Sequence, residues 1–302
     1  MELSLWALML VICKLGIYLG FSAAVGGVNT VFIFGINANS LRQSLNRYLW
    51  ISIVVALLAT GLAFVVQIGA LAETGVGGMW NPLLLNILWG SAVGESTLWR
   101  GLGFALMLVA MAAFRAPKNF YGAGFLRLLA FTLWLVALYL LGFSFVNIGH
   151  TAELHLWAKL ALSLHVVAIA WWMGTLWPLW FSCKKLDRGH LHSVMQRFGR
   201  LAQFNVALLI TVGIFVATQL LNSVSALWLT EYGQILSAKL IVVTTILLLA
   251  LYHKLRLVPG LLLQSEYPDR LARSIQIEMV LGFIILLTTA VLTTLVGPSH
   301  VA

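Results

Sequence analysis

Eight stretches of this chain are long and apolar enough to cross a lipid bilayer, near Leu5–Phe34, Trp50–Leu71, Thr97–Phe114, Phe125–Val146, Leu156–Phe181, Leu201–Leu221, Ile235–His253 and Ile275–Leu295. About 20 residues rising 1.5 Å each span the roughly 30 Å hydrocarbon core, so each stretch predicts one transmembrane helix. The expected fold is all-α: a polytopic bundle of about eight helices, one integral membrane domain over residues 1–302. Hydrophobic residues make up 61% of the chain and charged residues 9%. A soluble domain is roughly half apolar and about a quarter charged, so that class is excluded.

The net charge of +9 would suggest nucleic acid if the basic residues formed a patch, but they are dispersed through short loops. There they read as topology signals, because lysine and arginine mark the cytoplasmic side. Arg42 and Arg47 follow the first segment, and Arg115, Lys118 and Arg127 the third. Lys184, Lys185, Arg188, Arg197 and Arg200 follow the fifth, and Lys254, Arg256, Arg270 and Arg273 the seventh. The alternate loops carry Glu73, Glu95, Glu153 and Glu231, with few basic residues. Both termini are therefore expected outside, with lipid as the surroundings and no nucleic-acid partner.

The N-terminus, MELSLWALMLVICK, is acidic where a signal peptide is basic, and its apolar run is long, so the first helix reads as uncleaved. Gly16, Gly20, Ala23, Ala24, Gly26 and Gly27 on that helix suit close backbone packing. Lys14, in mid-helix, must face a partner or a wet cavity unless it snorkels. Cys13 and Cys183 lie far apart, which argues against a disulfide. The loop Glu73–Ser96 contains LLLNILW between Trp80 and Trp89, which predicts a short interfacial helix. A faint internal repeat pairs Leu45–Gly61 with Met195–Gly213, as expected of two parallel four-helix halves. Every histidine lies at or beyond His150, so residues 1–146 read as a scaffold half and residues 147–302 as the half that carries the chemistry.

Val146–Ser182 concentrates that chemistry. His150 and His155 precede a long apolar segment, and His165 lies ten residues into it. An ionisable residue well inside a bilayer is costly and therefore a functional candidate. With Met173 further along, the series His150, His155, His165, Met173 suits a metal ion captured at a mouth and passed inward. Imidazole suits Cu(II), zinc and nickel, and thioether selects Cu(I), so copper is the ion this series fits best. Zinc and nickel remain open at the histidines. Met107 and Met111 read as packing, Cys183 as a thiol at the inner end of the fifth helix, and His190 and His192 as solvated. His253 ends the seventh segment, where a cation suits a helix C-terminus. The alternative is a membrane redox protein binding haem b through His150 and His165. There is no Walker loop, HExxH, GxSxG or CxxC, so enzymatic chemistry has no motif behind it.

Gly149-His150, Leu164-His165 and Trp172-x-Gly174 together resemble the core motif of the copper-resistance D (CopD/PcoD) family. Arg197-Phe198, Tyr232-Gly233, Lys239, Leu257-x-Pro259 and Glu278 extend the resemblance from about Phe145 to Leu295, and before that it is general. Such a resemblance implies an eight-helix protein of the bacterial cytoplasmic (inner) membrane that handles copper, usually beside a small periplasmic copper-binding partner. His150 and His165 are its motif histidines. His155 lies outside the motif, and His253 stands where asparagine is expected. The expected function is copper binding and transport, with periplasmic capture at His150 and His155 and relay through His165. Lys239 and Glu278 are expected to balance buried charge rather than bind metal.

Overall fold

The structure is a computed structural model, and it describes residues 5–34, 39–114, 123–147, 154–220, 228 and 231–295. Helices account for nearly all of these residues, and no strand occurs among them. The helices are α1 (Leu5–Phe34), α2 (Asn39–Ala72), α3 (Pro82–Trp89), α4 (Ala92–Phe114), α5 (Ala123–Val146), α6 (Leu156–Lys185), α7 (Arg188–Leu220), α8 (Glu231–Tyr252) and α9 (Tyr267–Leu295). All but the short α3 are long and apolar enough to span a membrane, which matches the eight predicted crossings.

The observed helices overrun the predicted spans mainly at the basic ends. α2 begins at Asn39, α7 at Arg188 and α9 at Tyr267 rather than at Trp50, Leu201 and Ile275. Hydropathy marks only the stretch that prefers hydrocarbon, whereas backbone hydrogen bonding carries a helix on into polar surroundings. The turn before α7 shows how such an end is set. The Asp187 carboxylate accepts the His190 backbone N–H at 3.2 Å and also meets the His190 ring, capping the first turn. These bonds from His190 hold the Asp187 carboxyl below its ordinary range. The cap is therefore intact at neutral pH and is lost as acid protonates the carboxylate.

The predicted helix in the loop Glu73–Ser96 is α3. Pro82 occupies its first turn, and Asn81 Oδ1 accepts the N–H groups of Leu83 and Leu84 at 3.0 and 3.2 Å. Leu88 of α3 is buried against Phe64 and Ile68 of α2, while Trp80 and Trp89 are largely exposed.

The chain divides into two compact units: Met1–Ala24 with Trp50–Val167, and Val25–Leu49 with Ala168–Ala302. In the first, α4 and α5 pack along their length, with Gly103 of α4 against Leu141 of α5. Gly20 of α1 lets that helix approach Ser52 and Ala56 of α2. In the second, Gly26 lies against the backbone of Gly174 and Thr175, and Tyr48 stacks on Trp177 with ring centroids 4.3 Å apart. The small residues of α1 thus serve close packing, as expected.

Cys183 is buried, which makes it a poor reporter of topology. Ser193, in the same basic region, is exposed. In a chain with Cys13→Ala and Cys183→Ala, we expect Ser193→Cys to react in intact cells with membrane-permeant but not with impermeant maleimide, since lysine and arginine mark the cytoplasmic side. Labelling by the impermeant reagent would reverse the orientation.

Candidate metal-handling site

His155 occupies the N-cap position of α6, where its carbonyl accepts the Lys159 N–H at 3.0 Å and its side chain is exposed. His165 lies ten residues further, about 15 Å along the axis, and is half-buried with Nδ1 shielded. His150 lies outside the described residues. Among the described residues no three His, Cys, Asp or Glu side chains converge on one point.

The chain just before that segment is firmly held. Arg100 of α4 donates to the Ser144 carbonyl at 3.0 Å and to Ser144 Oγ at 3.3 Å, binding the last turn of α5. Its guanidinium also lies 5.0 Å from the Phe145 ring centroid, and Phe145 contacts Tyr18 and Phe21 of α1. Ser96 of α4 donates to the Asn147 carbonyl at 3.4 Å, and Lys159 of α6 donates to Asn147 Oδ1 at 3.2 Å. Three helices thus hold residues 144–147, three residues before His150.

Sequence reading singled out neither Arg100 nor Lys159. A signal for Arg100 was present: a lone arginine inside a span, at the end where basic residues are otherwise scarce. Arg100→Met keeps the apolar stem but leaves the Ser144 carbonyl without its charged donor. We expect a loss of about 1.5–3 kcal/mol in unfolding free energy, measured in detergent. An unchanged value would show that α5 ends stably without Arg100.

Met173 lies two turns beyond His165 on α6, and its sulfur contacts Gly282 of α9. It packs with Trp172 in the core of the second unit, as does Cys183. His190 and His192 belong to α7, where His190 is exposed and His192 is half-buried near Gln196. At His253 the α-helical pattern of α8 ends, as expected, but the chain runs on helically instead of leaving into a loop. His253 opens a π-helical turn, His253–Leu257, in which the Val258 N–H donates to the His253 carbonyl. Pro259, which lacks an N–H, follows directly and favours such a local widening. The His253 ring points to α9, towards Ser274 and Glu278.

Residues 4–159 match the family described as copper resistance protein D-like, N-terminal domain, and residues 192–292 match copper resistance protein D. The chain belongs to the copper resistance protein D family. The match to residues 4–159 extends over the region where the motif resemblance was only general. Within this family the chain is 27% identical over 248 residues to the inner membrane protein YebZ of Escherichia coli (strain K12), covering 79% of this chain and 80% of that one. No solved structure matches. His150 and His155 fall in the first matched region of this copper resistance D protein, and His253 and Glu278 in the second. His165 and Met173 lie between the two.

Proposed function

We propose that this protein binds copper at the His155 end of α6 and passes it inward across the bacterial inner membrane. His150 and His155 capture the ion, His165 relays it, and Met173 is the next donor along the helix. Copper is the cargo, and the protein makes and breaks no covalent bond in it. The basic loops face the cytoplasm and both termini the periplasm, where a small copper-binding protein is the natural donor. One observation carries this reading: an exposed and a half-buried imidazole stand ten residues apart on one membrane-spanning helix, in a member of a copper resistance family. Lys159 of the same helix also anchors Asn147, three residues before His150 in sequence, so the helix that carries His155 and His165 is tied to the end of α5.

Copper analysis of the detergent-purified protein beside its visible spectrum tests the reading. Bound copper without a Soret band is the expected result. A Soret band in protein free of copper would overturn it and favour haem b held by His150 and His165.

A further inference from the structure

The second unit contains a cavity of about 820 Å³, reached by Trp172 of α6, His192 and Arg200 of α7, His253 and Lys254 of the π turn, and Glu278 of α9. Arg200 and Lys254 are exposed, whereas Glu278 is 3% exposed. Its Oε1 has no hydrogen-bond partner among the described residues. It faces His253 Nδ1 across 3.7 Å, while the other ring nitrogen, Nε2, lies 2.6 Å from Ser274 Oγ.

A separation of 3.7 Å is too long for a hydrogen bond, whichever nitrogen carries the proton. In the tautomer that donates Nε2–H to Ser274, Nδ1 is an acceptor and stands 3.7 Å from the buried Glu278 Oε1 with no hydrogen bond between them. Leaving a carboxylate there without a partner is costly. A metal ion bonded to imidazole nitrogen and carboxylate oxygen at about 2.0–2.2 Å each would span this 3.7 Å gap at an angle of roughly 115–135°, an opened tetrahedral geometry. A hydrogen bond from the far ring nitrogen to an orienting group is what metal-bound histidines usually have. The π turn that aims His253 is itself a feature common at functional sites.

We propose that His253 Nδ1 and Glu278 Oε1 are two ligands of a transition-metal site in this cavity, with Ser274 orienting the imidazole and cavity water filling the remaining positions. One nitrogen and one carboxylate oxygen suit a borderline divalent ion such as Cu(II) or Zn(II). The site stands on its own geometry. Only its assignment to copper in transit rests on the function proposed above.

The test uses full-length protein in detergent, loaded with excess Cu(II), desalted, and assayed for copper content and by electron paramagnetic resonance. Glu278→Gln and His253→Asn keep the shape of each side chain, and each is expected to bind one copper ion fewer than wild type, losing a signal with single-imidazole coupling. Ser274→Ala leaves both ligands in place and is expected to weaken that ion at least tenfold, as loss of an orienting group does. His165→Ala is expected to retain it. Wild-type copper content, affinity and spectrum in Glu278→Gln and His253→Asn would overturn the proposal. Copper loss in His165→Ala alone would do so too while leaving the relay reading intact. Loss in the Glu278 and His253 variants alone would uphold this site and show that the retained ion does not sit on His165.

Discussion

His165→Ala is expected to abolish the copper-dependent phenotype while the protein stays inserted and folded. The half-buried imidazole lies mid-span on α6, deep in an apolar run. Water cannot readily substitute at that depth. Alanine is the best helix former, so α6 itself should persist. His155→Ala should behave differently. Its side chain is exposed at the N-cap of α6, where water or a neighbouring donor can take its place, so the loss should be partial. His165→Met should retain part of the function if Cu(I) moves, because a thioether is a competent soft ligand. Copper per protein and cellular copper response, read together for the three variants, check the order. A His165→Ala protein with wild-type values of both would sink the relay.

Gly26→Leu is expected to cause the largest loss of stability. A Cβ on Gly26 would overlap the backbone of Gly174 and Thr175, and backbone cannot swing aside as a side-chain tip can. Overpacking of a well-filled interior costs about 1–3 kcal/mol, and this contact belongs at or above the upper end. Even Gly26→Ala should be clearly destabilised. Gly61→Ala is the control, because a Cβ there meets nothing within 4 Å. It should leave stability unchanged or raise it by about 0.4–1 kcal/mol, since the unfolded chain loses freedom. The folded fraction after heating in detergent reports all three. Equal melting of Gly26→Leu and wild type would show that the two helix backbones do not meet there.

Both predictions concern α6, yet they differ in how far the sequence alone foretells them. His165 is conspicuous in sequence because an imidazole inside an apolar run has few innocent explanations. The partner of Gly26 is not, because a small residue announces a close approach without saying to what. Likewise His253 read as the cation at a helix end, since hydropathy stops where the apolar run stops. The π turn and Pro259 carry the helix past it and turn its ring to Glu278.

What the sequence determined by itself is the set of spanning helices, the short helix α3 and the rank of His155 and His165 along α6. These follow from local quantities: the run of apolar residues a bilayer requires, the capping chemistry of Asn81 and Pro82, and the rise per residue of a helix. Tertiary structure decided which helices share a unit and which polar groups meet. Val25–Leu49 packs with Ala168–Ala302 although it lies in the first sixth of the chain. Arg100 reaches Ser144 across 44 residues, and His253 reaches Ser274 across 21. Apart from α7, the spanning helices are only weakly amphipathic, so their sequences carry no clear stripe to say which face turns inward. Small residues and a few polar side chains choose the neighbour, and each acts only once its partner has been brought beside it.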